Sequence, residues 1–531
     1  MLPFAHAITL GLVASSGCYS HDKTLSSLVT DDEWNVTWIQ VKVFDFGKTV
    51  ELPDNWVKFI FSSNQLSARH KNQSVSNQNE SSQDSLVDLR KNDNQLLHSY
   101  GGPLVWSGNV PFEPERPTDF RGMVLFYNII MSHRKHCLQF MKSEQYKLLK
   151  ESKFDVLVID HFVQGCLTIL SSSLSPSVIQ YSNWPVSDGY LTSMNVPSYP
   201  SYVPTTGTTF SHLKMNFSER LKNTIAFVFI QFVRLFQSII VWIDFRNSDF
   251  TAGLFDHEGS HLLYTVRSEF LLEPVRPWNN RIKHFGCSTC SKSDIHTTND
   301  TELPRALYRS LSKKFILVTF GSLSNVEYLP RNLLKQFLKA FSQSRFNVIW
   351  QVNGKLNIDQ DVKIPSNVYF VDWVPLNKLF SHPNIQYVII HGGINTLNEA
   401  VHSALPLIGI PLQGDQNSNL KALELLRTAK IVRMINVWDD TLTITLQEFE
   451  KNLVTYKKRA EKLKKMVKDH QSHNGDQPEF WIKWGTRHGS VLSMRKYYIR
   501  NEYISRCKYF GIQDVIIYSV IVFSLLFMVT K

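Results

Sequence analysis

Residues 373–416 read WVPLNKLFSHPNIQYVIIHGGINTLNEAVHSALPLIGIPLQGDQ, and the fold is decided there. A short apolar run, residues 387–390, stops at His391-Gly392-Gly393. A segment of helical character follows, carrying Asn395, Glu399 and Ala400. The order is strand, glycine turn, helix N-terminus. Such a turn gathers backbone N–H groups that lack helical partners and the positive end of a helix dipole, which together favour an anionic phosphate. Glycine lets the backbone come close to a ligand. The spacing is neither that of a dinucleotide fingerprint nor that of a Walker A loop. A nucleotide diphosphate other than NAD or ATP is the expected ligand.

Outward from this stretch the chain alternates in α/β fashion. Residues 154–159 (FDVLVI) form a continuous apolar run that ends at Asp160, as a buried parallel strand does. Residues 174–180 read as the next strand, and 315–320, 346–352 and 407–410 as others, with a helix at 330–341 and a long polar helix at 446–468. Strands alternating with helices imply parallel sheets and right-handed crossovers. Ligands then bind at the strands' C-terminal ends. Residues 62–98 are rich in Ser, Asn, Gln and Asp and read as an exposed loop. Residues 198–204 (SYPSYVP) form a proline-punctuated loop.

A chain of 531 residues exceeds one core and implies two or three domains. Its net charge of +11 concentrates at residues 456–468 and 495–508. The second cluster precedes an apolar tail, so a membrane-flanking segment explains it better than a nucleic-acid face. The tail, residues 515–529, is about 15 residues or roughly 22 Å as a helix, and reads as a transmembrane anchor. Residues 224–245 are also strongly apolar, with Gln231, Arg234 and Gln237 on one face. That segment reads as a core or acceptor-lining helix, a membrane-surface helix, or a second span; the polar face argues against the last. Residues 2–16 fit either a signal peptide or the first strand of the fold. Six cysteines in this length make no disulfide framework, and Cys287 and Cys290 read as two unrelated loop thiols. Sequons at Asn35, Asn72, Asn79, Asn216 and Asn299 permit a glycosylated, lumenal chain.

The 373–416 stretch resembles the UDP-glucuronosyltransferases, membrane-bound inverting enzymes of the GT-B type. The shared residues are Trp373 and Pro375, then His391, Gly392, Gly393, Asn395, Glu399 and Ala400, and then Pro406, Pro411, Asp415 and Gln416. The resemblance extends from about His21 to the C-terminus, and residues 216–223 (NFSERLKN) and 479–489 (EFWIKWGTRHG) also match family landmarks. It implies two Rossmann-like domains facing a cleft, plus a C-terminal transmembrane helix. The expected division is 1–17 as signal peptide or first strand, 18–283 for the acceptor and 284–490 for the UDP-sugar. A basic flank at 491–511 and a membrane helix at 512–530 complete it.

The resemblance assigns roles. Trp373 stacks on uracil, Glu399 binds the ribose hydroxyls, and His391, Asn395 and the N–H groups after Gly393 hold the diphosphate. Gly321-Ser322 adds a second phosphate-facing turn, and Asp415 and Gln416 bind sugar hydroxyls. Taken singly, Trp373 reads better as a core residue, Glu399 as a solvated helix residue and His391 as a turn cap; their ordered combination reverses that. The family base matches His21, and the carboxylate that orients it matches Asp160, with His161 as the fallback. Arg267 matches an arginine that contacts the donor's acidic end and favours UDP-glucuronate. No cofactor and no catalytic metal are implied. Two departures stand out: Leu376 replaces the Gln that pairs with uracil, and Ala404 replaces a Gly. An unpaired uracil edge costs about 1–2 kcal/mol.

The implied function is transfer of glucuronic acid, with inversion, from UDP-glucuronate to a hydroxyl of a small lipophilic acceptor. The implied setting is the lumenal side of the endoplasmic reticulum membrane, with membrane lipid, and with a second copy of the chain as a further partner left open. One alternative is UDP-glucose as donor. Another is a catalytically inactive homologue acting as a binding or oligomerisation partner.

Overall fold

The computed structural model describes residues 7–29, 32–44, 49–62, 103–106, 121–161, 165–194, 196–211, 213–246, 253–287, 290, 310–321, 324, 326–352, 356, 362–372, 374–473 and 477–492, and positions 516, 519, 520 and 524. Most of the loop at 62–98, of the basic flank at 491–511 and of the apolar tail at 512–530 lies outside these residues, as do Ser322 and Trp373.

Two parallel sheets organise the chain. The first runs β3-β2-β1-β4-β5-β6-β7 and the second β10-β9-β8-β11-β12-β13. In the first, β1 (Thr9–Val13) lies between β2 (Asn35–Lys42) and β4 (Val156–Asp160). Outside β2 lies β3 (Val57–Ser62); beyond β4 come β5 (Val178–Ser182), β6 (Leu263–Val266) and β7 (Ile282–His284). In the second, β8 (Phe315–Thr319) and β11 (Ile385–Ile390) are central. They are flanked by β9 (Asn347–Gln351) and β10 (Val368–Val371) on one side, and by β12 (Leu407–Gly409) and β13 (Ala429–Ile431) on the other. Every residue of β4, β8 and β11 is buried. Helices cover both faces of such sheets, so their strands are apolar throughout rather than alternating.

One open alternative is resolved and three expectations need correction. First, Thr9–Val13 is the central strand of the first sheet, with Leu10 and Leu12 fully buried, so reading residues 1–17 as a removable signal peptide would delete the strand that joins β2 to β4. Second, the helix Pro478–Leu492, expected in the second domain, packs on the first. Ile482 lies in one core with Leu10, Leu12 and Val156. A Cβ on Gly485 or Gly489 would come within 2.7 or 2.4 Å of Ser177. The chain therefore crosses back after the second domain. Third, the cysteines do pair. Cys137–Cys166 joins the helices Arg121–Phe140 and Gly165–Leu174, and Cys287–Cys290 closes a tight loop after β7. Spacing could not reveal the first bond, which depends on two helices meeting in space. Fourth, residues 224–245 belong to one helix, Phe217–Phe245, which is not a core helix: only 11% of its most apolar window is buried.

Candidate active site

The first half of the site grows from the ends of β1 and β4. After β1 the chain turns at Gly17, whose φ of +125 and close approach to the Phe44 carbonyl exclude a side chain. The helix Tyr19–Ser26 follows and places His21 in its first turn. His21 Nδ1 lies 3.1 Å from both carboxylate oxygens of Asp160, the last residue of β4. Both residues are buried. Burial disfavours the charged imidazole, yet Asp160 foremost, with Cys18 and Asp22, outweighs it and the His21 pKa rises to about 10.

Three further groups shape this pair: His161, named above as the fallback, and Asp22 and Tyr190, which the sequence reading missed. Asp22, next to His21, is buried and accepts hydrogen bonds from Ser15 N–H, Ser15 Oγ and Gln40 Nε2, at 3.1, 2.7 and 2.7 Å. Burial raises its pKa to about 6. His161 stacks on His21 with ring centroids 5.5 Å apart, and burial lowers its pKa to about 3. Its Nδ1 stands 3.7 Å from Asp160, so the closer contact belongs to His21. Tyr190 Oη donates to the His161 carbonyl at 2.6 Å. Adjacency to His21 was the available signal for Asp22; nothing local marked Tyr190. His21, Asp160 and His161 offer ligand atoms within 4.8 Å of one another, a spacing that suits a metal ion, but an ion there would compete with Asp160 for His21 Nδ1.

The second half grows from the ends of β8 and β11. His391 directly follows β11, with its ring between two glycines: a Cβ on Gly321 or Gly393 would fall 2.7 or 2.5 Å from that ring. Gly321 and Gly392 also adopt left-handed φ values of 76 and 92. Burial lowers the His391 pKa to about 4, leaving a neutral ring that can both donate and accept. The helix Ile394–His402 starts at Gly393 without a side-chain cap. Asn395 and Glu399, one turn apart, share a face of it. Ala404, beyond its end, has φ 56, a conformation that favours the glycine it replaces. Leu376 opens the helix Leu376–Phe380 and packs against the second domain's core.

Asp415 and Gln416 follow β12. Asp415 is buried, accepts from Asn419 Nδ2 at 2.6 Å, and has its pKa raised to about 6 by burial, against an opposing effect of the His21 charge. The Gln416 side-chain carbonyl accepts from Leu412 N–H and Gln413 N–H at 2.7 and 2.9 Å, so it holds the loop's shape. The domains also meet where Gly414 approaches Trp184 and where Gly207 N–H donates to Ser418 Oγ at 3.2 Å.

Arg267 lies at the domain boundary, beside the Asn395 of the predicted donor turn. It is 1% exposed, its Nε donates to Asn395 Oδ1 across the domain boundary, and Nη2 lies 3.5 Å from Cys287 Sγ. Its carbonyl accepts from Asn398 Nδ2 at 2.8 Å. Arg267 thus joins the first domain to the helix Ile394–His402 of the second.

The comparisons with known proteins bear on this geometry. Residues 109–531 match the family described as UDP-glucoronosyl and UDP-glucosyl transferase. The chain belongs to this family. Among its relatives is a mouse 2-hydroxyacylsphingosine 1-beta-galactosyltransferase, 26% identical over 378 residues, which cover 68% of this chain and 64% of that protein. The chain thus matches less than two thirds of that relative's length. Human UDP-glucuronosyltransferase 2B17 is 26% identical over 389 residues, 72% of this chain and 70% of that one. Among solved structures, a Phytolacca americana UGT2 complexed with UDP-2fluoro-glucose and pterostilbene superimposes with a TM-score of 0.53 at 14% identity, covering 91% of this chain and 99% of that one. The glycotransferase of kitacinnamycin gives the same TM-score over 92% of this chain and 98% of its own. These likenesses show the fold: two Rossmann-like domains of GT-B type.

Proposed function

We propose that the chain transfers a hexosyl group, glucuronic acid first among the candidates, from a UDP-sugar to a hydroxyl of a small lipophilic acceptor. The observation that carries this reading is the buried His21–Asp160 pair of the first domain, together with the glycine-framed His391 turn of the second. The helix Ile394–His402 and His391 would hold the diphosphate, and Glu399 the ribose. His21 Nε2 takes the acceptor's hydroxyl proton as the oxygen attacks the anomeric carbon. The bond from that carbon to the β-phosphate oxygen breaks and UDP leaves with the electron pair. Asp160 holds the His21 tautomer and stabilises the imidazolium that results. The helix dipole stabilises the leaving diphosphate. A pKa near 10 means that His21 acts in its minor, unprotonated form at neutral pH.

The identity of the donor has two supports that pull apart. The relatives include UDP-glucuronosyltransferases. The burial of Arg267 instead favours a neutral sugar such as glucose, because the guanidinium is already committed to Asn395. Two disulfides support a lumenal location. The test is UDP release from UDP-glucuronate, UDP-glucose and UDP-galactose with phenol and alcohol acceptors. Turnover with inversion supports the reading; tight UDP binding with no turnover from any of the three overturns it in favour of an inactive homologue.

A further inference from the structure

The helix Phe217–Phe245 is inverted relative to a soluble surface helix. Its polar side chains face the protein: Asn223 and Arg234 are buried, Gln231 accepts from Thr192 Oγ1 at 2.8 Å, and Arg234 pairs with Glu258. Its apolar side chains face outward. Between Leu221 and Ile243 every residue that is exposed is apolar. Leu221, Ile225, Val228, Phe232, Leu235 and Ile239 recur at alternating steps of four and three, which places them in one stripe. From Leu221 to Ile243 that stripe runs roughly 33 Å. An exposed apolar strip of this length marks an interaction site.

Aromatic and basic groups mark its ends. Asn223 Nδ2 donates to the carbonyls of Pro200 and Val203, both at 2.7 Å, and so fixes a loop that exposes the stacked pair Tyr199 and Tyr202. Trp242 is exposed at the other end. Tyrosine and tryptophan at the margins of an apolar surface suit a bilayer interface. Both acidic side chains of the helix are engaged: Glu219 accepts from the Asn216 N–H, and Asp244 accepts from Arg134. Lys214, Arg220, Lys222 and Arg246 leave the two ends positive. Two copies of the helix packed face to face, in either orientation, would bring basic ends together. Anionic headgroups complement them instead.

We propose that this face lies in the surface of an anionic phospholipid bilayer, with the helix parallel to the membrane plane. It does not span, because its other face is bonded to the first domain through Gln231 and Arg234. This inference is independent of the catalytic reading.

The test uses the full chain in vesicles of phosphatidylcholine with about one-fifth phosphatidylserine. An environment-sensitive fluorophore is attached at Phe232→Cys or Ile239→Cys, and at Val454→Cys as the control, in a Cys507→Ser background; Cys18 is buried. Val454 is 83% exposed on the second domain. The expected result is blue-shifted emission at 232 and 239 and about 3-fold stronger quenching by lipid-borne nitroxide than at 454, falling when phosphatidylserine is omitted. Equal quenching at all three positions overturns the proposal. So does a blue shift at 232 without lipid quenching, which means that protein, such as a second copy, covers the face. Quenching that ignores phosphatidylserine overturns its anionic part. An anchored tail would bring the chain to the vesicle in every case, but only a lipid-seated helix brings 232 and 239 into contact with lipid.

Discussion

The two sides of the cleft are built in opposite ways. On the second domain, His391, Gly392, Gly393, Asn395 and Glu399 occupy one strand end, one turn and the first turns of one helix. On the first domain, His21 and Asp160 are 139 residues apart and meet only because β1 and β4 are neighbours in the sheet. A phosphate site is a property of local backbone, so short-range sequence can encode it. A buried base with its carboxylate is a property of strand order, which no local pattern encodes. The difference also shows in charge: Asp160 raises the pKa of His21, whereas burial alone lowers that of His391.

The largest expected effect separates the two sides outright. His21→Ala lowers kcat toward alcohol acceptors by about 10²–10⁴-fold and leaves UDP affinity within about 2-fold. Phenols of low pKa, already partly ionised, lose least. A series of acceptors of falling pKa, with UDP titrated calorimetrically, checks both statements. Full rate with weakly acidic alcohols would remove His21 as the base.

Asp160→Asn sharpens the comparison through pH. Asp160 is the foremost of the groups that raise the His21 pKa, so removing its charge lowers that pKa. The acid limb of the pH–rate profile then moves to lower pH while the maximal rate falls, because the imidazolium and the correct tautomer lose their support. An unmoved limb, with the rate reduced, would mean that the limb reports another group.

The other side of the cleft should respond in binding. His391→Ala or Glu399→Ala weakens UDP about 10-fold, or about 1.4 kcal/mol, without moving the pH profile. Unchanged UDP affinity in both variants would break the assignment of this turn. Leu376→Gln tests the missing uracil contact. UDP affinity holds or rises, while loss of apolar packing at the edge of the core costs up to about 1.5 kcal/mol of stability by denaturant titration.

The smallest effect concerns backbone alone. Ala404 holds φ 56, where an L-residue is strained by about 1–2 kcal/mol. Glycine removes that strain but adds entropy to the unfolded chain, so Ala404→Gly stabilises by about 0.5 kcal/mol, read as a rise in the denaturation midpoint with kcat unchanged.

The sequence by itself determined the alternating α/β pattern, the parallel strands from continuous apolar runs, and the strand–glycine–helix turn at His391. Each depends on residues within a few positions of one another, where backbone geometry and periodicity act directly. It also carried Asp160 to the end of its strand, because a charged residue ends the apolar run. Only the tertiary structure decided which of two readings of residues 9–13 holds, since a central strand and an apolar leader share one composition and differ in their neighbours, here β2 and β4. Tertiary contacts alone committed Arg267 to Asn395, joined Cys137 to Cys166, and returned the helix Pro478–Leu492 to the first sheet. They also turned the apolar side of Phe217–Phe245 outward. Periodicity shows that a helix has two faces. Which face meets the protein is decided by partners such as Thr192 and Glu258, which lie far away in the chain.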